Sequence, residues 1–385
     1  MNVSRNDFDV LVVADSRFAG GSTEALVADV TAFAALGLRI GLLFVRSSYL
    51  HDDRDPANPK ALALRDLDGV TTLRDGATAR APVAFLHHPL VFYRGIEERA
   101  DLTAQRAVIV THHAPFRADG SLEYDPLKTL GNIRRALGLR ACFAPISGVV
   151  RRQLASFAPL ISLAAEDWPN IFNPADWPDR RPLFQGPLVI GRHGRADPLK
   201  WPANGPDINA GLPARPDLKV RVLGCPVEAL RAKGARLGDW EILPFGSEAV
   251  PDFLNSLDVF VYHYHPKWVE SFGRTIAEAL LCGRLCLLDP RLRATFGSMA
   301  RYCTPQETAD ALDNLRANPA ASRNFAEDAR QGAISAYGRE TLAARLARLH
   351  SQQPARDRSQ ASVPPIRVAR KLLGHHRRRA DGATG

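Results

Sequence analysis

The chain has 385 residues, enough for two domains rather than one. Its composition, 45% hydrophobic and 24% charged, belongs to a chain that buries a core, which excludes wholesale disorder, and no apolar run nears the ~20 residues that cross a bilayer. The net charge of +9 is uneven: residues 351–385 hold eight basic and two acidic side chains, leaving +3 for residues 1–350, so it carries no argument for nucleic acid. The first residues lead straight into a strand, without the basic, apolar and cleavage regions of an export signal, so a cytoplasmic location is expected. The five cysteines are scattered without a C-x2-C pair and read as free thiols.

In chain order, Phe8 to Ala14 is a continuous apolar run of the kind a buried parallel strand gives. A loop ending in Gly20-Gly21 follows, Ser22 is expected to open a helix that Gly37 ends, and Arg39 to Val45 forms the next strand. This is a βαβ unit, and its right-handed crossover places Gly20 and Gly21 at the carboxyl edge of the sheet. No G-x-G-x-x-G is present, which weakens a nicotinamide reading. Short strands at 70–73, 83–87 and 107–111 come next, the last two ending in His87-His88-Pro89 and His112-His113-Ala114-Pro115. Parallel strands would gather these imidazoles along one edge. Four histidines suggest a metal, but no Asp, Glu or Cys stands at ligand spacing, so none is expected.

Residues 166–186, dense in proline and tryptophan, read as an ordered linker between a domain at 1–165 and a second at 187–350. The second opens with strand 187–190 and Gly191-Arg192, with Lys200 after a short turn. Two cations at one sheet edge fit a diphosphate: a guanidinium can fork across two oxygens and an ammonium adds a point charge. Strands follow at 218–223, 240–243 and 258–264. Later helices are expected at 308–316, at 322–337 with a bend or end near Gly332, and at 341–349. The tail, 351–385, has few aromatics and is expected to be largely disordered. Its basic, apolar-striped segment 366–379 suits the surface of an anionic membrane.

The densest pattern is VESFGRTIAEALLCGRLCL, Val269 to Leu287. It reads as a tight turn, Glu270-Ser271-Phe272-Gly273, then a helix bearing Glu278, then Cys282-Gly283 and a strand. Ser271 is expected to cap the helix, leaving the amides of Phe272, Gly273 and Arg274 open to an anion. The turn carboxylate and the helix carboxylate could receive a sugar's hydroxyls.

This string resembles the donor-binding segment of the retaining family-4 glycosyltransferases of the GT-B fold, which write Glu-Ser-Phe-Gly, a short spacer, Glu-Ala, and a small residue with Gly before a strand. Arg284-Leu285-Cys286 departs from the small residue and Pro-Val that often follow. Arg192 and Lys200 resemble the family's Gly-Arg…Lys-Gly segment, although seven residues separate them and Trp201-Pro202 replaces the glycine. The resemblance implies an α/β protein of two Rossmann-like domains facing each other across a cleft, with the last helix crossing back to the first domain. It implies transfer of a sugar, with retention, from a nucleotide-diphosphate sugar to a glycan or lipid-linked acceptor, in cell-surface polysaccharide or glycolipid assembly. By that resemblance Glu270 receives sugar hydroxyls, Glu278 ribose hydroxyls, and Arg192, Lys200, Ser271, Phe272 and Gly273 hold the diphosphate. Gly20 and Gly21 face the donor, and either His112 or His113 lies by the transferred sugar. No metal or cofactor is expected beyond the donor, nor a nucleic-acid partner. The alternative is a non-catalytic GT-B module that binds a nucleotide or glycan within an assembly complex.

Overall fold

The computed structural model describes residues 7–18, 20–51 and 54–382, the last five of them (378–382) by backbone alone. These residues divide into two compact units, one made of 1–171 with 339–385 and the other of 172–338. The division falls inside the Pro/Trp-rich segment, and the helix Leu342–Ser351 belongs to the first unit.

The first unit is built on β1 (Val10–Ala14), β2 (Ile40–Phe44), β3 (Val70–Thr72), β4 (Thr78–His87), β5 (Asp101–Thr111) and β6 (Ala141–Pro145), in the order β3-β2-β1-β4-β5-β6. All pairings are parallel. β1 and β2 sit between helices and neighbouring strands, so their side chains are almost wholly buried, as their unbroken apolar sequence requires. β4 and β5 begin several residues earlier than the sequence suggests. Their first halves alternate exposed and buried positions and bury only small or isolated apolar residues, such as Ala79, Ala81 and Leu102, which hides them from a search for apolar runs.

The second unit repeats the plan with β7 (Leu188–His193), β8 (Leu218–Leu223), β9 (Trp240–Leu243), β10 (Val259–Tyr262), β11 (Leu285–Leu288) and β12 (Arg301–Tyr302), in the order β12-β11-β10-β7-β8-β9, again all parallel. Ile190, Val220, Val222, Val259, Val261, Leu285 and Leu287 form its core. Losing the bulk of one such Leu costs about 2–5 kcal/mol. The Pro319–Tyr337 helix runs unbroken through Gly332. A side chain there would come within 3.2 Å of Met299, so the glycine admits a packed neighbour and does not end the helix. Arg284, where the sequence leaves the family pattern, is 1% exposed and donates to Leu257 O, Cys282 O, Arg181 O and the Asp179 carboxylate. It ties the linker segment to the strand that follows Gly283.

The tail differs most from expectation, being ordered from 351 to 382. Leu163 and Ala355 exchange backbone bonds of 2.8 Å, Ser362 N donates to Arg152 O at 3.0 Å, and Val363 N to Ser156 Oγ at 3.0 Å. A helix, Pro365–Gly382, then lies on the first unit with Val368 buried. The tail's composition alone would not fold. Backbone pairing with a preformed surface and one buried stripe supply what it lacks. Among the described residues, no helix is long and apolar enough to cross a membrane.

Candidate functional site

In the second sheet the chain steps outward from β7 to β8 and β9, then crosses back to lay β10 on the other side of β7. This makes a topological switch, the place where open α/β sheets bind ligands at their carboxyl ends. β7 ends in Arg192-His193 and β10 in Tyr262, and the turn 269–273 delivers the Arg274–Leu281 helix just beyond.

Glu270 is 7% exposed. Its Oε2 accepts from Tyr262 Oη at 2.6 Å and Trp268 Nε1 at 3.3 Å and lies 3.6 Å from Lys200 Nζ. Its Oε1 has no partner among the described residues and can receive a hydroxyl. Burial, with the carboxylate alongside, holds the Tyr262 phenol well above its usual range, so it stays a donor. Glu278, on the first turns of the helix, lies 3.3 Å from His193 Nε2 and 3.6 Å from Arg274 Nε. The His193 contact is at ion-pair distance without the alignment of a hydrogen bond.

The helix begins differently from expectation. Its N-cap is Gly273, with φ 88°, and no side chain caps it, so Ser271 is not the capping residue. The left-handed φ is costly for any residue but glycine, and a Cβ there would stand 2.9 Å from Ile276 Cδ1. The helix start is thus closed by backbone bonds. Gly273 O accepts from Ile276 N and Ala277 N, while the N–H groups of Phe272, Gly273 and Arg274 have no partner among the described residues.

Arg192 also departs from its expected form. It is 4% exposed and sandwiched between Trp201 and Tyr262, 4.3 Å from each ring centre. Nη1 donates to His263 O at 2.9 Å and Nη2 to Lys200 O at 2.7 Å. Its fork is spent on carbonyls. The guanidinium therefore fixes the backbone of Lys200 and adds buried positive charge, while Lys200 carries the accessible cation. The long Arg-to-Lys spacing is accommodated by a short 3-10 turn, Pro198–Lys200, capped by Asp197.

At the switch of the first sheet, between β1 and β4, the loop before the Gly21–Ala35 helix meets the histidines through Phe18, whose ring centre lies 4.4 Å from that of His88. Gly20 has φ 75°, and the helix starts at Gly21 rather than Ser22. A narrow cavity there is lined by Asp15, Phe18, Ser22, His87, His88 and His112. The imidazoles stack rather than converge: ring centres of His88 lie 5.9 Å from His112 and 6.1 Å from His113. His88, with φ 75°, caps the following short helix, accepting from Leu90 N at 3.2 Å. His87 Nδ1 is 3.3 Å from His112 Nε2, and its other nitrogen is 3.6 Å from Asp29. Burial holds His87 and His88 well below the usual imidazole range and lowers His113, keeping them neutral, and pushes Asp29 up to about 7. Among the described residues, no three His, Cys, Asp or Glu groups are placed to share a metal ion.

Tyr262, Trp268, His193 and Asp29 are site neighbours that sequence reasoning missed. Tyr262 and Trp268 flank the motif closely, and His193 directly follows Arg192; proximity to a motif was the available signal. Asp29, inside an ordinary helix, offered none. A cavity of about 480 Å³ lies elsewhere in the second unit, beside β12, and no expected site residue lines it.

No protein-family model matches the chain, nor does any curated protein sequence. Solved structures do. Anabaena HepE in complex with UDP and glucose is 14% identical with a TM-score of 0.60, covering 90% of this chain and 100% of its own. A glycosyltransferase from Rickettsia africae is 10% identical with a TM-score of 0.59, covering 89% and 97%. WaaG, a glycosyltransferase involved in lipopolysaccharide biosynthesis, is 13% identical with a TM-score of 0.50, covering 89% and 100%. The neighbours are GT-B glycosyltransferases. At these identities the likeness is one of architecture, and it gives this chain the GT-B fold of two Rossmann-like units.

Proposed function

We propose that this protein transfers a sugar, with retention of anomeric configuration, from a nucleotide-diphosphate sugar to an acceptor hydroxyl. The observation that carries the reading is the β7/β10 edge, where Glu270 Oε1, Lys200 Nζ and the amides of Phe272, Gly273 and Arg274 are left for a ligand beside Glu278. The sugar's hydroxyls go to Glu270, the ribose hydroxyls to Glu278, and the diphosphate to Lys200 and the amides. Negative charge grows on the leaving diphosphate in the transition state, and a prearranged ammonium and dipole favour that state over the bound donor. Arg192 backs this by holding Lys200 and by its own charge. These groups supply the positive potential, so the reading calls for no metal ion or cofactor beyond the donor. HepE, solved with UDP and glucose, makes UDP-sugars the first donors to try.

To the Gly20-Gly21 turn and either His112 or His113 we assign the transferred sugar and its acceptor, an unidentified glycan or lipid-linked hydroxyl in cell-surface polysaccharide or glycolipid assembly. The expected location is the cytoplasm, with peripheral contact to the inner face of the membrane through 366–379. A thermal-shift series with nucleotide sugars tests the reading, since a true donor raises the midpoint by an amount that grows with its concentration. A hit, followed by turnover that Glu270→Gln lowers about 1000-fold and chelators leave intact, supports it. Binding without turnover of any acceptor assigns the chain to a non-catalytic module. Absence of any hit overturns both.

A further inference from the structure

The Pro365–Gly382 helix uses one side to hold itself in place. Val368 is buried, Lys371, Leu372 and His375 are half-buried, and these positions follow the i, i+3, i+4, i+7 spacing of a single helical stripe. Lys371 donates to Gly120 O, His375 meets Tyr93, and His376 Nε2 lies 3.0 Å from the Asp125 carboxylate that caps the Pro126–Leu137 helix. Roughly opposite, at about 100° per residue, lie Ile366, Arg370, Leu373 and Arg377. Ile366 is 63% exposed and Leu373 61%. Among the described residues no other helix leaves two large apolar side chains exposed, and a helix already packed on its inner stripe should carry a polar outer one. Around the pair the charge is mainly positive: residues 365–382 hold six basic side chains and one acidic.

We infer that this outer stripe is a docking surface for the headgroup region of an anionic lipid bilayer. Two apolar side chains one heptad apart, flanked by arginines, match the boundary between acyl chains and charged headgroups, where the apolar groups enter and the guanidiniums meet phosphate. The stripe has no aromatic ring to stack bases, which sets a single-stranded nucleic acid aside. Because the inner stripe already fixes the helix on the first unit, docking does not need to order it. Neither observation depends on the nucleotide-sugar reading.

Co-sedimentation of the full chain with vesicles tests this. Vesicles containing phosphatidylglycerol should retain the protein at low salt, vesicles of phosphatidylcholine alone should not, and retention should weaken as salt rises. I366S/L373S should weaken retention at least tenfold, and R370E/R377E by roughly 30-fold or more, at about 1 kcal/mol per cation. Both variants touch only the outer stripe, so their melting midpoints and nucleotide-sugar thermal shifts should match the parent's. That separates a failure of docking from a failure of the proposed function. Equal binding to both lipids, no binding to either, or anionic binding unchanged in I366S/L373S would overturn the inference. Retention on single-stranded nucleic acid stronger than on the anionic vesicles would overturn it as well.

Discussion

At the switch point of the first sheet stacked imidazoles, of which burial keeps His87 and His88 neutral, stand beside the buried Asp15–Arg17 pair. At the switch point of the second they are carboxylates and cations in mutual contact, with an open turn of amides next to them. The strand orders correspond, so topology alone does not choose this chemistry. The difference follows from what each edge closes over. In the first unit buried Asp29 lies beside His87 and accepts from Trp168, over which buried Arg345 stacks. In the second, Glu270 and Lys200 each keep an accessible atom, because their partners hold only one side of them. One edge reads as a shaped wall whose charges are buried and the other as an electrostatic site with accessible ones.

The largest expected effect probes the second edge. Glu270→Gln keeps an acceptor for Tyr262 but loses the charge, and turnover should fall about 1000-fold, near 4 kcal/mol of barrier. His112→Ala, on the first edge, should cost about 10- to 100-fold. Equal losses in steady-state kinetics would erase the contrast between the edges. Next, Lys200→Ala removes the accessible cation, and affinity for a nucleoside diphosphate should drop by about 1.5–3 kcal/mol, the worth of a charged hydrogen bond. Calorimetric titration reads this directly; an unchanged affinity would move the diphosphate elsewhere.

The smallest effect sharpens the description of the first edge. Asp29 titrates near 7 in the folded state because of its burial, against about 3.9 unfolded. The folded form therefore binds this proton more tightly, and the Asp29 contribution to stability declines as pH rises from about 4 to 7. His87, beside it, has the opposite sign: its lowered value makes stability decline as pH falls below about 6.5. Asp29→Asn should stabilise the protein at pH 8 by on the order of 1–3 kcal/mol and leave it nearly unchanged near pH 4. Urea midpoints at the two pH values check this. A gap that does not vary with pH would show that the buried carboxyl, faced by His87, Trp168 and Arg345, does not carry the proton.

The legibility of the two edges in the sequence differed for a physical reason. The second edge is encoded within one contiguous turn and helix, so Glu270, Gly273 and Glu278 could be named together, and Arg192 and Lys200 found by their place after a strand. Two details escaped. A serine before a helix suggests a side-chain cap, yet the φ of Gly273 let the backbone do that work. An arginine at a sheet edge suggests an exposed fork, yet Trp201 and Tyr262, 61 positions apart, close over it from both sides. The first edge gathers groups from a helix and two strands, and the Asp29–His87 approach has no local signature. The tail was misread because its stabilising partners, Leu163, Ser156 and Asp125, lie some 190 to 250 residues upstream.

The Leu163–Ala355 pairing also bears on the order in which the protein is completed during synthesis. The second unit is one uninterrupted stretch, 172–338, whereas the first needs residues 339–382 to cover Trp168 and pair Leu163. Ribosomes add about 5–20 residues per second and domains generally fold as units as they emerge. The half of the molecule that is made first is therefore finished last, after its neighbour has already closed, and in the interval its exposed apolar surface is the part of the nascent chain that a chaperone would meet.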